Sequence, residues 1–372
     1  MVFVAALAIA ATPPAHASAQ VPFLVEGLVD AEGWATTAHS NLLTRNGGTP
    51  AALGRLQGWA AVEPWRGLVL YAQGDIEGGN ARHPRDGRNV VADLDQVGVR
   101  YLGARGISID AGRVSPVVGT FASRRFSNRN PLIGAPDSYA IEYPVGVVVA
   151  GANAHTDFRV GALSLPPTHD GYVPEATERL RPAVGAGVTP TVGMRLGASW
   201  TAGPYLNCDL TPTQLAGRKW SDFHQRVVAL DARFARGYLE TFAEAARATY
   251  DVPGRSGAIM GFAYYGEAKY TIAPRLFIAG RLERNAYPFI RSMAGGAENE
   301  GPRWIAKTVD FVDGELGAGY RVTATTLVKG SVRGDRWWVA PGATGFLGQG
   351  GRAVAIQVSQ SIDATPLLRG RP

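Results

Sequence analysis

Cysteine is all but missing from this chain. Among 372 residues only Cys208 carries a thiol, so no intrachain disulfide can form and no cysteine-based zinc or haem spacing exists. Charge is sparse as well, at 18% of residues, which excludes a charge-rich disordered chain. Long apolar runs are lacking. Beyond the N-terminus the longest is Val145-Gly-Val-Val-Val-Ala-Gly-Ala152, far short of the ~20 residues a membrane-spanning helix needs. The catalytic templates G-x-S-x-G, H-E-x-x-H and G-x-x-x-x-G-K-[ST] are absent, and no histidine has a metal-spaced neighbour. No enzyme activity, metal or cofactor is therefore expected. The net charge of +6 is spread along the chain rather than clustered on one element, so nucleic acid is not an expected partner.

What the chain has in abundance is alternation, punctuated by 47 glycines and 24 prolines. In Val192-Gly-Met-Arg-Leu-Gly-Ala-Ser-Trp200 one side carries Val192, Met194, Leu196, Ala198 and Trp200, and the other Gly193, Arg195, Gly197 and Ser199. Similarly Val228, Leu230, Ala232 and Phe234 oppose Ala229, Asp231 and Arg233. Leu276, Ile278, Gly280 and Leu282 oppose Phe277, Ala279, Arg281 and Glu283. Such two-faced strands need an apolar medium on one side only. Repeated along a chain without compensating helices, they predict lipid outside and water inside.

Reading alternation as strand and turn residues as boundaries gives about sixteen strands, near 23–35, 53–63, 68–77, 91–103, 107–115, 143–154, 157–165 and 179–189, then 192–203, 224–235, 238–250, 257–272, 275–287, 303–322, 325–337 and 351–362. Residues 238–250 also carry a helical i, i+3, i+4 pattern through Leu239, Phe242, Ala243 and Ala246. The flanking turns favour strand. Links between strands alternate long and tight, with the link at 252–256 alone short where a long one is due, which predicts an all-β fold: a closed antiparallel transmembrane β-barrel with short periplasmic turns and long extracellular loops. Trp34, Trp59, Trp65, Trp200, Trp304, Trp337 and Trp338 fall near strand ends, where interfacial aromatic girdles are expected.

The first residues differ. Val2 to Ala11 is an apolar h-region, and Ala17-Ser-Ala19 offers a cleavage site, with Ala15-His-Ala17 as a second option. A basic n-region is missing. Residues 1–19 are expected to be a signal peptide, 20–365 the barrel and 366–372 a C-terminal tail.

The link at 116–142 is the third long one and the longest. It holds Arg124, Arg125 and Arg129, with prolines that stiffen it. Export signal, about sixteen alternating strands, tight turns and a long third loop together resemble the bacterial general porins of the outer membrane. Their pattern covers about residues 20–365. The chain departs from them at its end, Ser361-Ile-Asp-Ala-Thr-Pro-Leu-Leu-Arg-Gly-Arg-Pro372, where such barrels usually finish on an aromatic residue.

The resemblance implies that the third loop folds into the lumen and narrows it, making Arg124, Arg125 and Arg129 a candidate constriction. The alternative is an external loop whose arginines meet lipopolysaccharide phosphates or solvent. Candidate pore-lining residues are Arg100, Arg113, Arg159, Arg181, Arg195, Arg233, Arg281 and Arg333, with Asp75, Asp110, Asp231 and Glu267 opposed. The implied function is passive diffusion of small hydrophilic solutes with a weak anion preference, in a bacterial outer membrane with lipid and lipopolysaccharide as partners. The resemblance admits a homotrimer as the assembled form. A plugged barrel serving as adhesin, receptor or scaffold is the rival reading.

Overall fold

A computed structural model describes residues 22–38, 48–80, 90–136, 143–164, 179–205, 217–252, 256–291, 303–338 and 350–365. The segments expected to be the signal peptide and the C-terminal tail lie outside these residues. Sixteen strands follow in order: β1 (Phe23–Thr36), β2 (Ala51–Trp65), β3 (Leu68–Gly79), β4 (Val90–Leu102), β5 (Ile107–Arg113), β6 (Val145–Ala152), β7 (Thr156–Leu163) and β8 (Arg181–Thr191). The second half comprises β9 (Met194–Pro204), β10 (His224–Arg236), β11 (Leu239–Tyr250), β12 (Ile259–Ala273), β13 (Leu276–Arg291), β14 (Arg303–Arg321), β15 (Thr326–Trp337) and β16 (Arg352–Asp363). Each strand pairs antiparallel with its chain neighbours, and β16 closes on β1, with Val29 opposite Gln360. Closure leaves no free edge, so every ladder bond is made within the sheet.

The expected strands are all present, with ends within two residues of expectation except that β13 runs on to Arg291. The barrel is apolar outside and polar inside. On β16 Val354 and Ile356 stand outward at 57% exposure each, while Ala355 between them and Gln357 and Ser359 beyond them are buried. On β13 Ile278 and Leu282 face out, whereas Arg281 and Glu283 face in. A period of two is what the pleat imposes.

At one end the strands join through tight turns, such as Arg66-Gly67 between β2 and β3 and Val192-Gly193 between β8 and β9. Gly67 and Gly193 take φ of 80° and 85°, the left-handed region that glycine enters without a Cβ clash. The long links gather at the other end.

Two expectations are decided by tertiary context. Residues 239–250 form β11, laddered to β10 and β12 on both sides. The helical stripe loses because Glu244, Ala246 and Ala248 are buried on the inner face while Ala243, Ala245 and Arg247 face out. The tryptophan girdle is only partly formed. Trp65, Trp200 and Trp338 are exposed, but Trp34 and Trp337 are buried on the inner side. Trp59 also turns in and packs edge-on against Phe126 of the third loop, with ring centroids 4.8 Å apart. Much of the outward ring at the tight-turn end is tyrosine instead, with Tyr101, Tyr238, Tyr270 and Tyr320 exposed there.

Candidate functional site

The third long loop leaves β5 after Arg113 and its described part runs through 114–136 inside the barrel. Proline at 116, 131 and 136 limits its backbone freedom. A short 3-10 turn at Phe121–Arg124 and a reversal closed by Asn130 N–H donating to the Phe126 carbonyl (2.7 Å) give it local form. Val114 and Val117 seat its start against Val148, Leu163 and Ala183.

Beyond that, inward side chains of the strands hold the loop. The Thr120 N–H and hydroxyl donate to Glu244 of β11 (3.0 and 2.6 Å). Arg124 donates to Glu267 of β12 (2.7 Å), and Arg125 pairs with Asp95 of β4. Ser127 donates to Asp30 of β1, and Asn128 to Ser361 of β16 (3.2 Å). The N–H groups of Ile133 and Gly134 both donate to Glu315 of β14 (3.1 Å each). Lys329 of β15, 1% exposed, donates through Nζ to the carbonyls of Ser127, Asn130 and Leu132 at 2.9, 3.0 and 2.8 Å. These bonds cross the lumen in several directions. They also satisfy loop backbone groups that would otherwise be buried without partners.

Gly134 fits against the wall by lacking a side chain. A Cβ there would lie 2.7 Å from both Arg333 Nη1 and Glu315 Oε2. Its carbonyl accepts from Arg281 Nη2 at 2.9 Å.

The three loop arginines do not form one cluster. Arg124 points to β12, Arg125 to β4, and Arg129 stands exposed near Phe126. Burial alone would lower the Arg124 pKa. The Glu267 carboxylate and Tyr265 beside it outweigh that and hold the guanidinium above its ordinary value. Its guanidinium also lies 3.5 Å from the centroid of the Phe242 ring, within cation–π range.

The candidate lining residues divide by partner. Arg281 and Arg333 are buried in a carboxylate network, with Glu315 at 2.8 Å and Glu267 at 3.4 Å from the first, and Asp313 at 2.7 Å and Glu283 at 3.2 Å from the second. Arg100 pairs with Asp110 at 2.6 Å. Arg181 caps the Gln225 carbonyl (3.1 Å) and Thr201 hydroxyl (3.1 Å) on the inner wall. Asp75 stands on the inner face opposite Asp93. Arg113 departs from the set. Its register partner is Val97, whose side chain is outward, and its guanidinium binds the carbonyls of Leu94 (2.5 Å) and Tyr143 (3.1 Å). The glycine before it, at φ 127°, ends the regular alternation of β5.

Sequence reading overlooked Lys329, Glu244, Glu315 and Asp95 as loop anchors. Alternation places them on inward or bulged positions. Nothing local marks their partners, which lie up to 202 residues away.

Two cavities flank the loop. One of about 280 Å³ lies between residues 115–124 and β7–β11, lined by Arg124, Arg159, Arg195, Arg233, Asp157 and Asp231. There Arg195 bridges both aspartates, 2.7 Å from Asp157. Arg159 donates to the Gly119 carbonyl (3.3 Å), its one hydrogen bond among the described residues, and Arg233 is exposed 5.4 Å from the Phe242 ring. Three strand arginines against two aspartates leave one positive charge in surplus on that wall. The other cavity, about 490 Å³, lies between Phe126, Asn128 and Arg129 and the β1–β4 and β16 wall.

A closed sixteen-strand barrel with an inward-folded third loop defines a porin-like transmembrane β-barrel. No protein-family model matches the chain, and no curated protein matches it. Among solved structures it is similar to an anion-selective porin from Comamonas acidovorans, at 10% identity and a TM-score of 0.61, covering 92% of this chain and 100% of that one. It is also similar to Salmonella typhi OmpF in complex with daunomycin, at 14% identity and a TM-score of 0.57, covering 91% of this chain and 97% of that one. At these identities the likeness is one of fold.

Proposed function

We propose that this protein is an outer-membrane porin through which small hydrophilic solutes diffuse passively, with a weak preference for anions. The observation that carries this reading is the third loop, tied across the lumen by side chains from opposite walls with charged cavities left beside it. A barrel of this strand number encloses an aqueous lumen, and a loop held inside it sets the width rather than the wall. The lumen then works by field and size, without a catalytic step. The anion preference rests on Arg159 and Arg233, which face the smaller cavity without a carboxylate of their own beyond those Arg195 already holds. A surplus of one charge suits a weak preference, not a strict filter.

In this reading the tight turns face the periplasm and the long loops the exterior, where lipopolysaccharide surrounds the barrel. A homotrimer is the accompanying proposal. Strands β5, β6 and β7 have 7, 8 and 8 residues, fewer than the ~9–11 that a tilted spanning strand needs. Their outward side chains include Ile109, Val147, Phe158 and Val160. A neighbouring copy would shield this low stretch of wall.

Refolded protein in planar bilayers is the test. Discrete conductance steps, with a reversal potential on the anion side under a salt gradient, are expected. A folded barrel that does not conduct would overturn the porin reading in favour of a plugged barrel acting as adhesin, receptor or scaffold.

A further inference from the structure

The larger of the two cavities beside the third loop has a lining that sieving by size alone does not call for. One inward row of directly paired residues crosses five strands there: Asp363 of β16, Glu26 of β1, Trp59 of β2, Gln73 of β3 and Gln96 of β4. All five line the cavity of about 490 Å³. It lies on the tight-turn side of the loop, with Thr325 of a turn and Phe126 and Arg129 of the loop among its walls. Residues directly opposite on one face of an antiparallel pair have Cβ atoms about 4.5–5.5 Å apart. Register alone therefore sets two carboxylates, an indole and two amides side by side.

Charge is graded along this row. Glu26 and Asp363 stand opposite one another, both exposed, and neither has an ion-pair partner among the described residues. Like charges directly opposite destabilise a sheet, so the pair costs stability unless something positive sits between them. Trp59 adjoins Glu26 on the other side and is fixed by its edge-on contact with Phe126, at 4.8 Å between centroids. The amides are held as well, Gln73 donating to Asp95 at 2.9 Å and Gln96 to Ser115 at 3.1 Å. From the loop side comes Arg129, exposed and 6.0 Å from the Phe126 ring. Its guanidinium donates to the Ser123 carbonyl (3.4 Å) and meets no carboxylate within ion-pair distance among the described residues.

An unpaired acid pair beside an aromatic ring, with an unpaired guanidinium in the same cavity, complements a solute of separated charges. We infer that this cavity binds a small zwitterion, its ammonium between Glu26 and Asp363 against Trp59 and its carboxylate on Arg129. The inference rests on the channel reading and names a solute class for it.

Carboxylates and an aromatic ring both attract an ammonium group, and guanidinium matches a carboxylate in bidentate geometry. A plain cation would meet Arg129 as a like charge, and a plain anion would meet two carboxylates. The cavity is within the range of small-molecule pockets, about 300–1,000 Å³. Weak binding here suits a channel, since a bound solute must also leave.

The experiment titrates the full barrel in detergent with glycine betaine by isothermal titration calorimetry. Choline, which has the ammonium and lacks the carboxylate, is the second probe. Wild type is expected to bind betaine about tenfold more tightly than choline, the effect of one hydrogen-bonded charge contact. Glu26→Gln/Asp363→Asn should weaken betaine binding by about tenfold on the same grounds. That variant should fold at least as well, because it relieves the repulsion. Arg129→Gln should bind both probes alike. Glu240→Gln, a carboxylate at the tight-turn end of β11, should bind as wild type. Equal affinity of wild type for the two probes, or unchanged betaine binding by the double variant, would overturn the inference. Planar bilayers separate the two proposals. Conductance without betaine binding defeats this one alone, and binding without conductance defeats only the channel.

Discussion

Arg124 Nη1 lies 2.7 Å from Glu267 Oε1, joining the third loop to β12 across 143 residues of chain. The Glu267 side chain has no exposure and also faces Arg281 Nη1 at 3.4 Å. One carboxylate therefore serves the loop and the wall together, and its loss would leave two guanidiniums without it. Glu267→Ala is expected to destabilise the barrel by about 3 kcal/mol, the lower range for removing one partner of a buried ion pair. Urea unfolding from lipid vesicles measures this. Open-channel noise should rise as the loop loosens.

Lys329, three strands away on β15, holds the loop through three backbone carbonyls. Lys329→Met keeps the length of the side chain and removes the donors. A loss of about 3 kcal/mol is expected, since hydrogen bonds to a charged group contribute about 1.5–3 kcal/mol and orphaned carbonyls add their own cost. Protease sensitivity within 116–136 in the folded barrel should increase. Unchanged resistance would mean that the loop is held without it.

Ion selectivity should respond at the smaller cavity rather than at the paired loop arginines. Arg159→Ala/Arg233→Ala is expected to move the reversal potential towards cations at 0.1 M salt. The shift should shrink at 1 M, where the Debye length falls to ~3 Å. Arg129→Ala, on the other side of the loop, is expected to have the smaller effect. The reverse order would place the selective passage along the β1–β4 wall.

Wall orientation has a separate check. Leu230 is the middle residue of the 13-residue β10 and faces outward at 58% exposure. Leu230→Arg should cost ~2–4 kcal/mol of insertion stability if it lies at the bilayer midplane. Arg233→Leu, on the inner face of the same strand, should cost much less. Refolding yield and urea midpoints in vesicles compare the two, and equal losses would contradict the register.

The sequence alone determined the strands, their two faces and which links are short, because each depends on residues close together in the chain. Leu230 and Asp231 declare opposite sides through the pleat alone. Gly67 marks a turn through its own backbone freedom, whereas Gly193, read as a strand position, became part of the turn between β8 and β9. Local signal was weakest at 239–250, where helix-forming residues became β11 because ladders on both sides outweighed propensity. Which way an aromatic at a strand end turned was also not local, as Trp34 and Trp337 went inward and Trp65 outward.

Tertiary structure decided everything that depends on closure. Arg124 and Arg125 read as a pair in sequence, yet their side chains reach β12 and β4. Lys329 meets the carbonyl of Leu132 across 197 residues. Periodicity is a property of neighbours along the backbone. Loop docking, ion pairing and height in the membrane are set by strand tilt and register, which no short window of sequence contains.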